Sequence, residues 1–101
     1  MGQRLQLQAL LEQTLGSRNV YFQPPANVQM QYPCIVYKRE AADQKFADDL
    51  LYQYTKRYQV TVIDQDPDST IPDQIAVLPL CSYDRFFTAE DLNHDVFTLF
   101  F

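Results

Sequence analysis

The sequence predicts an α+β fold: an antiparallel sheet of about four strands, with an N-terminal helix and a short second helix packed on one face. Three observations predict it. Apolar residues near the N-terminus recur at helical spacing, two later stretches alternate in the period of a strand, and 101 residues with 47% hydrophobic content suffice for one thin two-layer core. A single domain over 1–101 follows.

Each element has its own signal. Leu5, Leu7, Ala9, Leu10, Leu11 and Leu15 include the i, i+4 and i+5 spacings of a helix with one apolar face, and no Pro or Gly interrupts the stretch before Gly16, so residues 3–15 read as a helix closed by a glycine able to turn left-handed. Val20 to Gln23 favours extended backbone but runs into Pro24-Pro25, which suits an edge strand or an extended connection. Cys34 to Arg39 alternates, with Cys34, Val36 and Lys38 on one face and Ile35, Tyr37 and Arg39 on the other. Residues 40–53 carry broken periodicity and four acids and read as a long mobile connection with room for a helical turn. Tyr54 to Asp64 is the strongest strand, with Tyr58, Val60 and Val62 opposite Arg57, Gln59, Thr61 and Ile63. After an acidic turn, Ile71, Ile75 and Leu78 suit a short helix with Pro72 in its first turn and Ser69 or Thr70 as cap. Ser82 to Thr88 and His94 to Phe101 form a hairpin across residues 89–93.

Composition removes several function classes. With 13 Asp and Glu against 8 Lys and Arg, the net charge is −5, the wrong sign for phosphate binding by counterion release. No apolar run approaches the roughly 20 residues of a membrane span, and Met1 to Arg4 leads into a Gln-studded segment rather than a signal core. Cys34 and Cys81 stand far apart, without a Cys-x-x-Cys pair and with His94 as the one imidazole. They read as two buried free thiols, with no zinc site and no disulfide framework.

Catalytic and metal motifs are equally thin. Asp64, Asp66 and Asp68 imitate the first three ligands of a calcium loop, but Ser69 stands where the turn glycine belongs and Ile75 where the bidentate acid belongs. Their expected role is to form the turn. His94 alternates with Val96 and Thr98 and is expected to pair across a strand or meet a neighbouring subunit rather than activate a nucleophile. With Gly2 and Gly16 alone, no phosphate loop can form. The chain offers no catalytic residue, no cofactor site and no metal site. It is instead rich in Tyr and Gln, residue types suited to protein contact. Phe97, Leu99 and Phe101 share one face of the last strand while Phe100 points to the other, where a two-layer domain has no cover of its own.

Several strings have a familiar order: Asn19-Val20-Tyr21-Phe22-Gln23-Pro24-Pro25, then Tyr32-Pro33-Cys34-Ile35-Val36-Tyr37, then Tyr58 to Asp64 leading into Asp66-Pro67-Asp68-Ser69, and finally Asn93-His94-Asp95-Val96-Phe97. With the N-terminal helix they cover nearly the whole chain, and the chain resembles the small tail-terminator or tail-completion proteins of long-tailed bacteriophages. The resemblance implies a structural virion protein of the neck, made in the host bacterial cytoplasm. It would form a ring, a hexamer, on the head-proximal end of the tail tube. It would stop polymerisation there and offer a docking surface to the head-tail connector protein. DNA would pass through without specific binding, and neither membrane nor cofactor is implied.

The candidate subunit or tail-tube interface, read from the residues themselves, is Tyr37, Arg39, Arg57, Gln59 and Phe100. Two alternatives belong to other classes: a different head-tail joining protein, such as a connector adaptor or stopper, and an unrelated cytosolic α+β ligand-binding or enzyme module.

Overall fold

The computed structural model of the chain describes residues 3–25, 29–47 and 50–101, in backbone only at residue 3 and along 41–55. Helix α1 (Gln3–Leu15) comes first, followed by strands β1 (Val20–Phe22), β2 (Cys34–Ala47) and β3 (Leu50–Asp64), helix α2 (Ile71–Ala76), and strands β4 (Cys81–Ala89) and β5 (Leu92–Phe100). The five strands form one sheet in the order β1-β2-β3-β5-β4.

Of the apolar residues of α1, Leu7 and Leu11 are fully buried and Leu15 packs against the same core, whereas Leu5 is 49% exposed. Gly16 ends the helix at φ +85°, a left-handed conformation that costs a residue without Cβ little, and its N–H donates to the Glu12 carbonyl at 2.9 Å. In α2, Pro72 occupies the first turn. Thr70 stands at the cap position without a side-chain cap bond, and the Ser69 hydroxyl instead accepts from the Ile71 N–H at 3.3 Å. Ile75 is the buried residue of this helix.

The sheet corrects the expected architecture in two respects. It has five strands rather than about four, and it is mixed, because β1 pairs parallel to β2 while every other neighbour is antiparallel. A three-residue edge strand gives its direction away only through its partner, which lies outside its own sequence.

Residues 40–53, expected as a connection, are strand as far as Ala47 and again from Leu50, with Ala47 opposite Leu50; residues 48 and 49 lie outside the described residues. Register shifts between Arg39 and Ala41 and between Lys45 and Phe46 break the alternation by which a strand is recognised. The last hairpin turns on two residues rather than five: Ala89 pairs with Leu92, and Glu90 and Asp91 both take positive φ, 53° and 63°. That is the backbone of a type I′ turn, built here without its usual glycine.

The core lies between the sheet and the two helices, which cover one face as expected. Across it, Ile35 opposes Val62, Tyr37 opposes Val60, and Val60 in turn opposes Phe97. These join Leu7, Leu11, Val20, Tyr58, Ile75 and Leu99 in one buried cluster. Each such side chain contributes roughly 1.5–3 kcal/mol relative to exposure.

Candidate functional site

The faces assigned to β2 and β3 from their alternation are those observed, and they separate the candidate interface residues. Tyr37 belongs to the helix-covered face and has no exposed surface in the subunit. Its ring tilts against Phe22 at 4.9 Å between centroids. Its hydroxyl donates to Gln8 Oε1 and receives a hydrogen bond from the Arg4 guanidinium at 3.3 Å. Burial pushes the Tyr37 phenol above its ordinary pKa, against the lowering effect of Arg4. Arg39 continues the same face beyond the core and is exposed, with its backbone N–H donating to Gln23 Oε1 at 3.2 Å.

The other three candidates meet on the face that no helix covers. Arg57 and Phe100 are direct cross-strand partners, and Gln59 opposes Thr98 one step further along. Phe100 is half-buried there rather than open. Arg57 Nε lies 3.6 Å from Glu40 Oε1 and has no hydrogen-bond partner, a partly exposed ion pair of small energetic value. Lys38, opposite Gln59, extends the same patch.

A second surface was missed, and it is the more exposed one. Strand β4 is an edge of the sheet, and every residue after Cys81 is exposed along it. Tyr83 and Phe86 are each 53% exposed, and Phe87 is 40% exposed. The register shift between Tyr83 and Arg85 sets Phe86 on the helix side, opposite Asp95, and Phe87 on the side that no helix covers, opposite His94. Tyr83 packs edge-on against Phe97 at 5.2 Å and donates from its hydroxyl to Asp95 Oδ1 at 3.1 Å. Phe87 stacks on His94 at 4.6 Å, the cross-strand pairing expected of that imidazole. The sequence signal was the pair Phe86-Phe87, which puts aromatic rings on both faces of one strand.

Beside Phe86 opens a shallow groove of about 360 Å³ whose lining includes Asp64, Asp66, Asp68, Asp73 and Asp95. Two of these carboxylates are occupied with the backbone: Asp64 Oδ1 accepts from the Asp66 N–H at 3.0 Å, and Asp66 Oδ1 from the Asp68 N–H at 2.9 Å. They form the turn, as expected. Among the described residues no three His, Cys, Asp or Glu side chains converge as metal ligands, and no helix is long and apolar enough to cross a membrane.

Both cysteines are free thiols. Cys34 is buried, as expected, but Cys81 is only partly so, because it opens the edge strand. Burial pushes the Cys34 thiol up to about 11, with Asp64 adding to the effect, and raises Cys81 as well.

Charge is unevenly spread. Residues 64–95 hold eight acids and one base, a net charge of −7, whereas seven of the eight Lys and Arg precede residue 58. That one base, Arg85, is itself 2.9 Å from Asp84. The aromatic edge therefore sits in an acidic region, and the Lys38, Arg39 and Arg57 region lies at the other end of the strands. In comparison with known proteins, the chain matches no family model and no curated protein, so its surface chemistry is what speaks to its role.

Proposed function

We propose that this chain is a structural virion protein, a tail terminator that caps the head-proximal end of a phage tail tube as a hexameric ring. In that role it ends tube growth and presents a docking surface to the head connector. It works by shape and contact rather than by catalysis, and needs no cofactor. The observation that carries this reading is β4, a nine-residue edge strand with unguarded aromatic side chains. An edge of that length is a template for pairing with another chain, and a protein that ends or joins a polymer requires such a surface. The resemblance of the Tyr-Pro-Cys-Ile-Val-Tyr and Asp-x-Asp-Pro-Asp-Ser strings to tail-terminator proteins supplies the identity of the polymer. An acidic chain also suits a channel through which DNA must pass without adhering.

Electron microscopy of assembled tails tests the reading. The expected result is a ring of this chain at the tube end nearest the head, with overlong tubes when the chain is withheld. Tails that lack the chain at that end overturn it. Density on the head side alone, with bare isolated tails, assigns the chain to a connector adaptor or stopper instead.

A further inference from the structure

We propose that residues 85–89 of β4 take an extended segment of a different protein as a further strand, one in which Lys or Arg alternates with apolar residues and the basic side chains lie on the helix side of the sheet. This rests on the ring reading, in which β4 meets another protein, and adds the chemistry of that partner.

The backbone of this run is open. The Phe100 N–H donates to the Leu80 carbonyl at 3.1 Å, so Phe100 turns its backbone toward β4, and in an antiparallel ladder every second residue does the same. On β5 those are Thr98, Val96 and His94, whose partners are Ser82, Arg85 and Phe87. The residues of the opposite phase, Phe86 and Thr88, therefore direct N–H and C=O away from the sheet. β4 ends the strand order, and among the described residues no other backbone bonds this pair. The register shift after Tyr83 marks where the run begins, and from there it offers about 17 Å of continuous edge.

Its two faces differ. On the helix side, Phe86 lies beside the groove that holds Asp68, Asp73 and Asp95, and Thr88 beside a depression of about 430 Å³ lined in part by Glu90 and Asp91. Among the described residues none of these carboxylates has a Lys or Arg within ion-pair distance. A basic side chain on a docked strand would lay its stem or guanidinium on the exposed Phe86 ring and its charge among the acids. On the other side Phe87 stacks on His94, and Arg85 already holds Asp84. That side suits an apolar neighbour.

Charge selects the occupant. A second copy pairing β4 to β4 would press together two regions that each carry a net charge of −7 over residues 64–95, and like charges opposed across strands destabilise. A basic strand is drawn in by the same field.

Peptides test both halves of the proposal. A short acetylated and amidated peptide of alternating lysine and valine, carrying a fluorophore, is titrated with the protein at low salt and followed by anisotropy. It should bind, and at least tenfold more weakly when its lysines are replaced by glutamates. A similar loss is expected when its backbone amides are N-methylated, which keeps the charges and removes the ladder donors. On the protein, Asp68→Asn with Asp73→Asn should weaken the lysine peptide about tenfold. Thr88→Pro, which removes an outward donor where an edge strand tolerates proline, should do the same. Thermal melting establishes that each chain is folded, and if Thr88→Pro does not fold, the N-methylated peptide carries that arm alone. Binding that survives N-methylation is attraction without strand pairing and overturns the proposal. So does a glutamate peptide that binds equally, or a parent that binds no peptide. A parent that self-associates instead, with Phe86→Lys abolishing it, gives the edge to a second copy and also overturns it. Each of these results leaves the ring reading to microscopy of tails, and tails that lack the chain overturn that reading while leaving a bound peptide in place.

Discussion

The two edges of the sheet are built on different plans. At one edge, β1 is three residues long, pairs parallel, and is cut off by Pro24-Pro25, which cannot donate to a further ladder. Short edges and prolines are the means by which a sheet refuses additional strands. At the other edge, β4 is three times as long, has no proline, and displays Tyr83, Phe86 and Phe87. β4 carries lighter protection, a register shift after Tyr83 and the Asp84–Arg85 pair, so the two margins, one guarded and one inviting, differ in degree, and the difference directs the proposed association to β4.

The largest test of this contrast loosens the inviting edge from beneath. Phe97 is buried on β5 and carries the ring of Tyr83, so Phe97→Ala should cost about 3–5 kcal/mol of unfolding free energy in urea titrations. A loss under about 1 kcal/mol would mean that β4 does not depend on the core beneath it.

Next in size is a change that guards β4 in the manner of natural edges. Tyr83→Lys with Phe86→Lys should weaken association at β4 at least tenfold, about 1.4 kcal/mol. Each substitution, being on the surface, should shift stability by only about 0.5 kcal/mol. The same pair of measurements leaving association unchanged would remove β4 from the contact.

At the guarded side the expectation reverses. Tyr37→Phe deletes a hydroxyl that bonds Gln8 and Arg4 and should cost about 1 kcal/mol of stability with no change in association. An association defect without a stability defect would place Tyr37 at the interface.

The smallest test uses the two thiols as reporters, one near each edge. A disulfide reagent should modify Cys81 well before Cys34, whose thiol is buried and held to about 11. Because the folded state keeps the Cys34 proton more tightly than the unfolded state does, its contribution to stability is whole below about pH 9 and is lost as pH rises toward about 11. Cys34→Ala should flatten that part of the pH profile.

Much of the guarded side was legible in the sequence. The spacing of Leu7, Leu11 and Leu15, the stop at Gly16 and the alternation through Cys34 to Arg39 and Tyr58 to Ile63 all describe local periodicity, and local periodicity is what a sequence displays directly. The inviting side was less legible because its features depend on departures from period. Register shifts hid the strand character of residues 40–47 and turned Phe86 and Phe87 to opposite faces. The Glu90-Asp91 turn lacks the glycine that marks a tight hairpin. Tyr37 alternates with Ile35 on the face the helices cover, but alternation separates two faces without saying which of them is the core. Phe100 lies on the face opposite the helices, as its alternation suggests, but its cross-strand partner Arg57 belongs to a strand more than 40 positions earlier.

The strand order has a consequence for how the molecule comes together in time. β2 with β3 and β4 with β5 are each consecutive in the chain and antiparallel, so four of the five strands form two hairpins whose seam is β3 against β5. Hairpins close within about 1–10 μs, whereas the seam must first bring distant segments into register, which is the slow kind of contact. Substitutions at the seam, such as Val60→Ala opposite Phe97, should therefore slow refolding. Surface substitutions along the outer margin of β4, which touch neither the hairpin ladder nor the seam, should leave the refolding rate alone. The margin that waits for a partner would then take its strand form early, with its hairpin, before the two halves of the sheet meet.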